Sequence, residues 1–130
     1  MSRKNKASVP KFSYAIGELI ELLECAKKDY YWNADEVNRL NGLQQDYLHM
    51  LELDGLNYGE RAKVATKLMK CRQDRRDSKD MVRVLEPLIK FMESDKGRNM
   101  INLMKEVLGK TRRVEKEMEN RIYVPRELER

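Results

Sequence analysis

From Val64 to Met92 the chain steps by four and three residues in turn through Val64, Leu68, Cys71, Arg75, Ser78, Val82, Leu85, Ile89 and Met92. That is the 3.5-residue period of a helix laying one seam along a partner helix, and a strand, whose period is two, cannot carry it. The seam is apolar at both ends and polar in the middle. A chain holding such a segment must supply a second helix to cover it.

The residues upstream supply one. Ile16, Leu19, Ile20, Leu22, Leu23, Ala26 and Tyr30 recur at helical spacing, then Val37, Leu40, Leu43, Tyr47, Leu48 and Leu51. Pro10 suits the first turn of that helix. Asn33 with Glu36 three residues on has the form of a capping box, so a restart or kink is expected there, with Tyr30, Tyr31 and Trp32 packed at the joint. Asp54-Gly55 breaks the pattern, and Asn57 with Glu60 repeats the cap signal. An antiparallel hairpin turning near residue 56 follows, and its geometry places Tyr30 by Val82, Leu23 by Ile89 and Glu36 by Arg76.

Pro87 should kink the second arm or mark its boundary, because proline removes a backbone donor and crowds the preceding turn. Ser94 to Gly97 reads as a connector. A further helix then carries Met100, Met104, Val107, Thr111, Val114 and Met118 at heptad spacing, joined by Ile101, Leu103 and Leu108. It could pack into the hairpin or onto a second copy. From Asn120 the β-branched residues and Pro125 predict an extended tail. The fold class expected is all-α, an antiparallel helical hairpin or coiled-coil-like bundle of three to four long helices. Residues 1–10 form a basic arm, 11–119 a single helical domain and 120–130 the tail.

With 130 residues, 41% of them hydrophobic and 38% charged, the chain can bury a core without staples, and its helices have one apolar and one charged face. No apolar run is long enough for a membrane span and no secretion signal opens the chain, so a cytoplasmic location without membrane contact is expected. Cys25 and Cys71 stand apart, with no CxxC or Cys/His cluster, and are expected to be reduced and at least half-buried.

The net charge of +5 is unevenly spread. Residues 12–57 hold nine acidic and three basic side chains, whereas 58–96 hold eleven basic and seven acidic. Arg3, Lys4, Lys6 and Lys11 give residues 1–11 a charge of +4. Interhelical pairing absorbs much of this asymmetry in the expected hairpin.

Residues bearing chemistry are few. His49 is the only histidine, and no HExxH, GxSxG or glycine-rich phosphate loop accompanies it. Glu18, Glu21, Asp35 and Glu36 lack the Glu-x-x-His pair that inward metal sites of helical bundles use, and read as solvated surface carboxylates. No catalytic residue, metal ligand or cofactor is therefore expected.

The most specific local feature is a basic stripe of Arg72, Arg75, Arg76, Lys79 and Arg83 at spacings of three, four and seven. Three readings stay open for it: pairing with the interleaved Asp74, Asp77 and Asp80 or within a polar helix layer, contact with successive phosphates of nucleic acid, or a protein-binding hot spot. Tyr30, Tyr31 and Trp32, and Tyr123 and Arg126 of the tail, are further candidate partner contacts.

Through Arg75, Arg76, Lys79 and Asp80, Leu85 to Leu88, and Asn120, Arg121, Tyr123, Pro125 and Arg126, the chain resembles small helical proteins encoded by phages and prophages of Gram-positive bacteria. The resemblance covers the second half of the chain and carries over no functional residue. It implies an accessory factor that redirects host machinery or blunts bacterial defence, including CRISPR nucleases. The expected function is a non-enzymatic, protein-binding accessory or regulatory factor that also self-associates; the alternative is a nucleic-acid-binding protein using the basic stripe.

Overall fold

The computed structural model describes residues 11–121 and 127. They form three helices, α1 (Phe12–Leu53), α2 (Tyr58–Glu93) and α3 (Asp95–Glu119), with no strand among the described residues. The fold is an all-α helical bundle, as the 3.5-residue periodicity requires. The basic arm, Pro10, Tyr123 and Arg126 lie outside the described residues.

α1 runs for 42 residues without interruption. The restart expected at Asn33 does not occur, because the Asn33 amide donates to the Asp29 carbonyl one turn back, at 2.7 Å, instead of capping a new helix. No glycine or proline stands near it to free the backbone, and the aromatic run before it is compatible with a helix. The Asn57 box does form, since Gly55 (φ 57°) turns the chain just ahead of it. Glu60 N–H donates to Asn57 Oδ1 at 2.8 Å and Asn57 N–H donates to Glu60 Oε1 at 3.0 Å.

Pro87 sits inside α2 and does not end it. Beyond it Ile89 and Met92 are buried, and their packing keeps the helix going past the lost backbone bond. The connector is Ser94 alone: its extended backbone (ψ 161°) ends α2, its N–H and hydroxyl both donate to the Phe91 carbonyl, and α3 begins at Asp95. Gly97, expected in the connector, is buried within α3.

The chain divides into two compact units. One comprises Glu24–Ser94, the hairpin of α2 on the greater part of α1. Along α2, Val64, Cys71, Ser78, Ile89 and Met92 are buried while Leu68, Arg75, Val82 and Leu85 are half-buried, which is the whole seam read from the sequence. Opposite Cys71 lies Leu40, whose carbonyl accepts from Cys71 Sγ at 3.5 Å, in the register expected for a turn near residue 56. Further from the turn this register fails. Tyr31, expected near residue 81, donates to Glu93. The drift begins before Pro87: Arg75, expected near residue 37, already bonds to Asn41. Glu36 likewise accepts from Arg39 on its own helix rather than pairing with Arg76.

The other unit packs residues 11–23 of α1 against α3. Ser13 and Ile20 are buried with Ile16 and Leu23 half-buried, facing Gly97, Ile101, Met104, Leu108, Thr111 and Glu115 on α3. Ser13 Oγ donates to Glu115 Oε1 at 2.6 Å, Ser13 N–H donates to Glu115 Oε2 at 3.2 Å, and Lys11 pairs with Glu119. A Cβ added at Gly17 would lie 3.6 Å from the Arg112 guanidinium. Across these contacts the residue numbers rise on one helix as they fall on the other, so the pair is antiparallel.

The heptad expected along α3 is buried only in part. Met104 and Thr111 face α1, whereas Met100, Leu103, Val107, Val114 and Met118 are 44–51% exposed. The apolar arc of α3 is wider than one helix can cover, and periodicity marks the arc without saying which half of it is covered.

Candidate functional site

The basic stripe lies in the middle of α2, held at helical spacing by a seam that continues on either side of it. The structure splits it. Arg75 turns toward α1, where its Nε donates to Asn41 Oδ1, so this guanidinium belongs to the polar layer of the helix pair. Arg72, Arg76, Lys79 and Arg83 remain exposed in one row along α2 and make no ion pair among the described residues. Asp74 is engaged by Lys70, at 2.6 Å, one turn back along the helix. That contact holds the Lys70 ammonium above its usual pKa, by hydrogen bonding first and charge second.

The row runs into apolar ground at its N-terminal end. Ala65, Leu68, Met69, Arg72, Gln73 and Arg76 line an open concavity of about 460 Å³, with Met69 58% exposed beside the two arginines. Arginine charge and an adaptable apolar side chain thus share one groove. Periodicity points to the cations but not to Met69, which falls off the α2 seam.

The expected aromatic joint is absent because α1 does not break. Tyr30 is half-buried and meets Tyr31 edge-on, with ring centroids 5.2 Å apart. Tyr31 donates its hydroxyl to Glu93, and this bond raises the phenol pKa. Trp32 packs in no joint; it is 62% exposed. Tyr31 and Trp32 are thus presented outward, and Tyr123 and Arg126 lie outside the described residues.

Cys71 is buried, but Cys25 is exposed, contrary to the expectation that both would be covered. Cys25 lies on α1 away from its covered stripe, and a small thiol costs little in water. His49 is exposed on α1. Among the described residues no three His, Cys, Asp or Glu side chains come together in a way that could hold a metal ion, and no helix is long and apolar enough to cross a membrane.

Fold and surface together define a class, an all-α protein of paired helices bearing an arginine-and-methionine groove. Compared with protein-family models, with curated proteins and with solved structures, the chain matches none.

Proposed function

We propose that this chain is a non-enzymatic helical factor that docks on a protein partner through the outer face of α2, with Arg72 and Arg76 as anchors and Met69 as the apolar contact beside them in the groove. The observation that supports this reading is the groove itself: methionine and arginine are the residue types enriched where proteins meet, and arginine is prominent among contacts that dominate binding energy. A fitting partner surface offers carboxylates flanking an apolar side chain. The resemblance to phage and prophage proteins extends the proposal to a phage-encoded origin and a target among host or defence machinery, such as a CRISPR nuclease.

The test is quantitative affinity capture from nuclease-treated lysate with the wild-type chain and with Arg72→Glu/Arg76→Glu as baits. Loss of a hot-spot arginine costs about 2 kcal/mol or more, roughly thirtyfold in affinity. A specific partner should therefore disappear from the variant's capture while its helical circular dichroism is unchanged. An identical set of captured proteins with both baits would contradict the proposal.

A second reading, nucleic-acid binding, draws on a separate observation: Arg72, Arg76, Lys79 and Arg83 form one exposed row, ion-paired to no carboxylate among the described residues. Such a row suits successive phosphates, and its affinity would fall steeply with salt.

A further inference from the structure

On residues 11–23 of α1, the positions that α3 leaves open repeat at steps of three and four, through Phe12, Ala15, Leu19 and Leu22. The open stripe of α3 is Met100, Leu103, Val107, Val114 and Met118. Projected at 3.6 residues per turn, each open stripe lies to the same rotational side of its helix's buried stripe, when each helix is viewed from its own N-terminus. Because the two helices run antiparallel, an equal sense of displacement brings both stripes onto one common face. The Ser13–Glu115 contact sets the levels, so that Phe12 falls beside Met118, Ala15 beside Val114 and Leu22 beside Val107. The result is one apolar face, two helices wide from Phe12 and Met118 to Leu22 and Val107, and continued by Leu103 and Met100 on α3 alone.

We infer that this face is the interface of a homodimer, in which two copies stack their α1–α3 layers into an antiparallel four-helix bundle. Area is the first argument. The large side chains on the face are between 44% and 66% exposed, and together they leave on the order of 800 Å² open. That exceeds the roughly 300–600 Å² of the largest apolar patch on a typical monomer. It equals about what one partner contributes to a stable interface, roughly 800 Å².

Charge is the second argument. Glu18 flanks the outer edge of the α1 stripe and Lys110 the outer edge of the α3 stripe; both are exposed, and neither is ion-paired among the described residues. A two-fold axis parallel to the helices sets α1 of each copy over α3 of the other, antiparallel. In that arrangement Glu18 of one copy comes level with Lys110 of the second, and symmetry makes the pair twice. Helices with a wide apolar arc are completed in this way in four-helix bundles, where each helix has two neighbours instead of one.

Sedimentation equilibrium of the full chain tests the inference, with helical circular dichroism recorded for every variant. The wild type should sediment as a dimer, and Val107→Glu, a change at an exposed position, should yield a monomer of undiminished helicity. Glu18→Lys and Lys110→Glu should each weaken the dimer about tenfold, from two lost pairs of the surface kind, and the double variant should recover it. A wild type that stays monomeric at 100 μM, or one that grows beyond two copies, would overturn the inference. So would a dimer that persists in Val107→Glu, or charge variants whose double change restores nothing, which remain decisive even if Val107→Glu loses helicity.

Discussion

Ser13 is the second residue of α1, where backbone N–H groups have no carbonyl one turn back to accept them. Glu115, from another helix, supplies the acceptor: one carboxylate oxygen takes the Ser13 N–H and the other its hydroxyl. A carboxylate at a helix N-terminus also meets the positive end of the helix dipole. These bonds, the hydroxyl's first, together with the nearby Lys11 and Arg112 charges, hold the Glu115 pKa below its ordinary 4.5 against the opposing effect of desolvation. A carboxylate whose pKa is lower folded than unfolded adds stability above the unfolded value, and that stability is lost as pH falls through the folded value. Thermal unfolding should therefore show a loss as pH falls below 4.5 that Glu115→Gln diminishes; an unaltered pH profile in the variant would remove Glu115 from this role. No local pattern could reveal this cap, since its two residues lie about a hundred positions apart in sequence. The thiols give a second check at this scale. One equivalent of an aromatic disulfide reagent should react at once with exposed Cys25, while buried Cys71 reacts only on unfolding, and Cys25→Ser should abolish the fast phase.

At the scale of elements, the α2 N-terminus and Pro87 make opposite contributions. The reciprocal Asn57–Glu60 bonds satisfy backbone and side chain at once, and Asn57→Ala should cost about 1 kcal/mol in urea unfolding. Pro87 lies in the helix interior with its ring exposed, so Pro87→Ala should stabilise the protein by about 1–3 kcal/mol, seen as a higher denaturation midpoint. A lower midpoint would mean that the proline shapes packing which alanine cannot reproduce. The seam from Val64 to Met92 was legible because burial follows periodicity directly. The two capping boxes were not equally legible. Asn57 and Asn33 have the same spacing to a glutamate, but only Asn57 follows a glycine that lets the backbone turn; without that turn Asn33 and Glu36 stay on one continuous helix, and Glu36, expected to be solvated, is half-buried. For Pro87 the decisive quantity was tertiary: the burial of Ile89 and Met92 beyond it, which propensity does not contain.

For the molecule as a whole, no large side chain among the described residues is fully buried, because a two-helix layer covers each seam from one side only. Surfaces left open are therefore where function is to be sought. The cations of the stripe were legible in the sequence as a row, but their division was not: Asn41, which takes Arg75 out of the row, is more than thirty residues away, and Met69 joins Arg72 and Arg76 only in three dimensions. The central claim is that this groove engages protein rather than phosphate. Fluorescence anisotropy with generic single- and double-stranded DNA and RNA across a salt series, using the wild type and Arg72→Glu/Arg76→Glu, tests it most directly. Only weak binding by the wild type is expected, no tighter than the roughly 1–100 μM of non-specific association at physiological salt. Submicromolar binding by the wild type that falls steeply with salt and vanishes in the variant would contradict it, and would assign the row to nucleic acid.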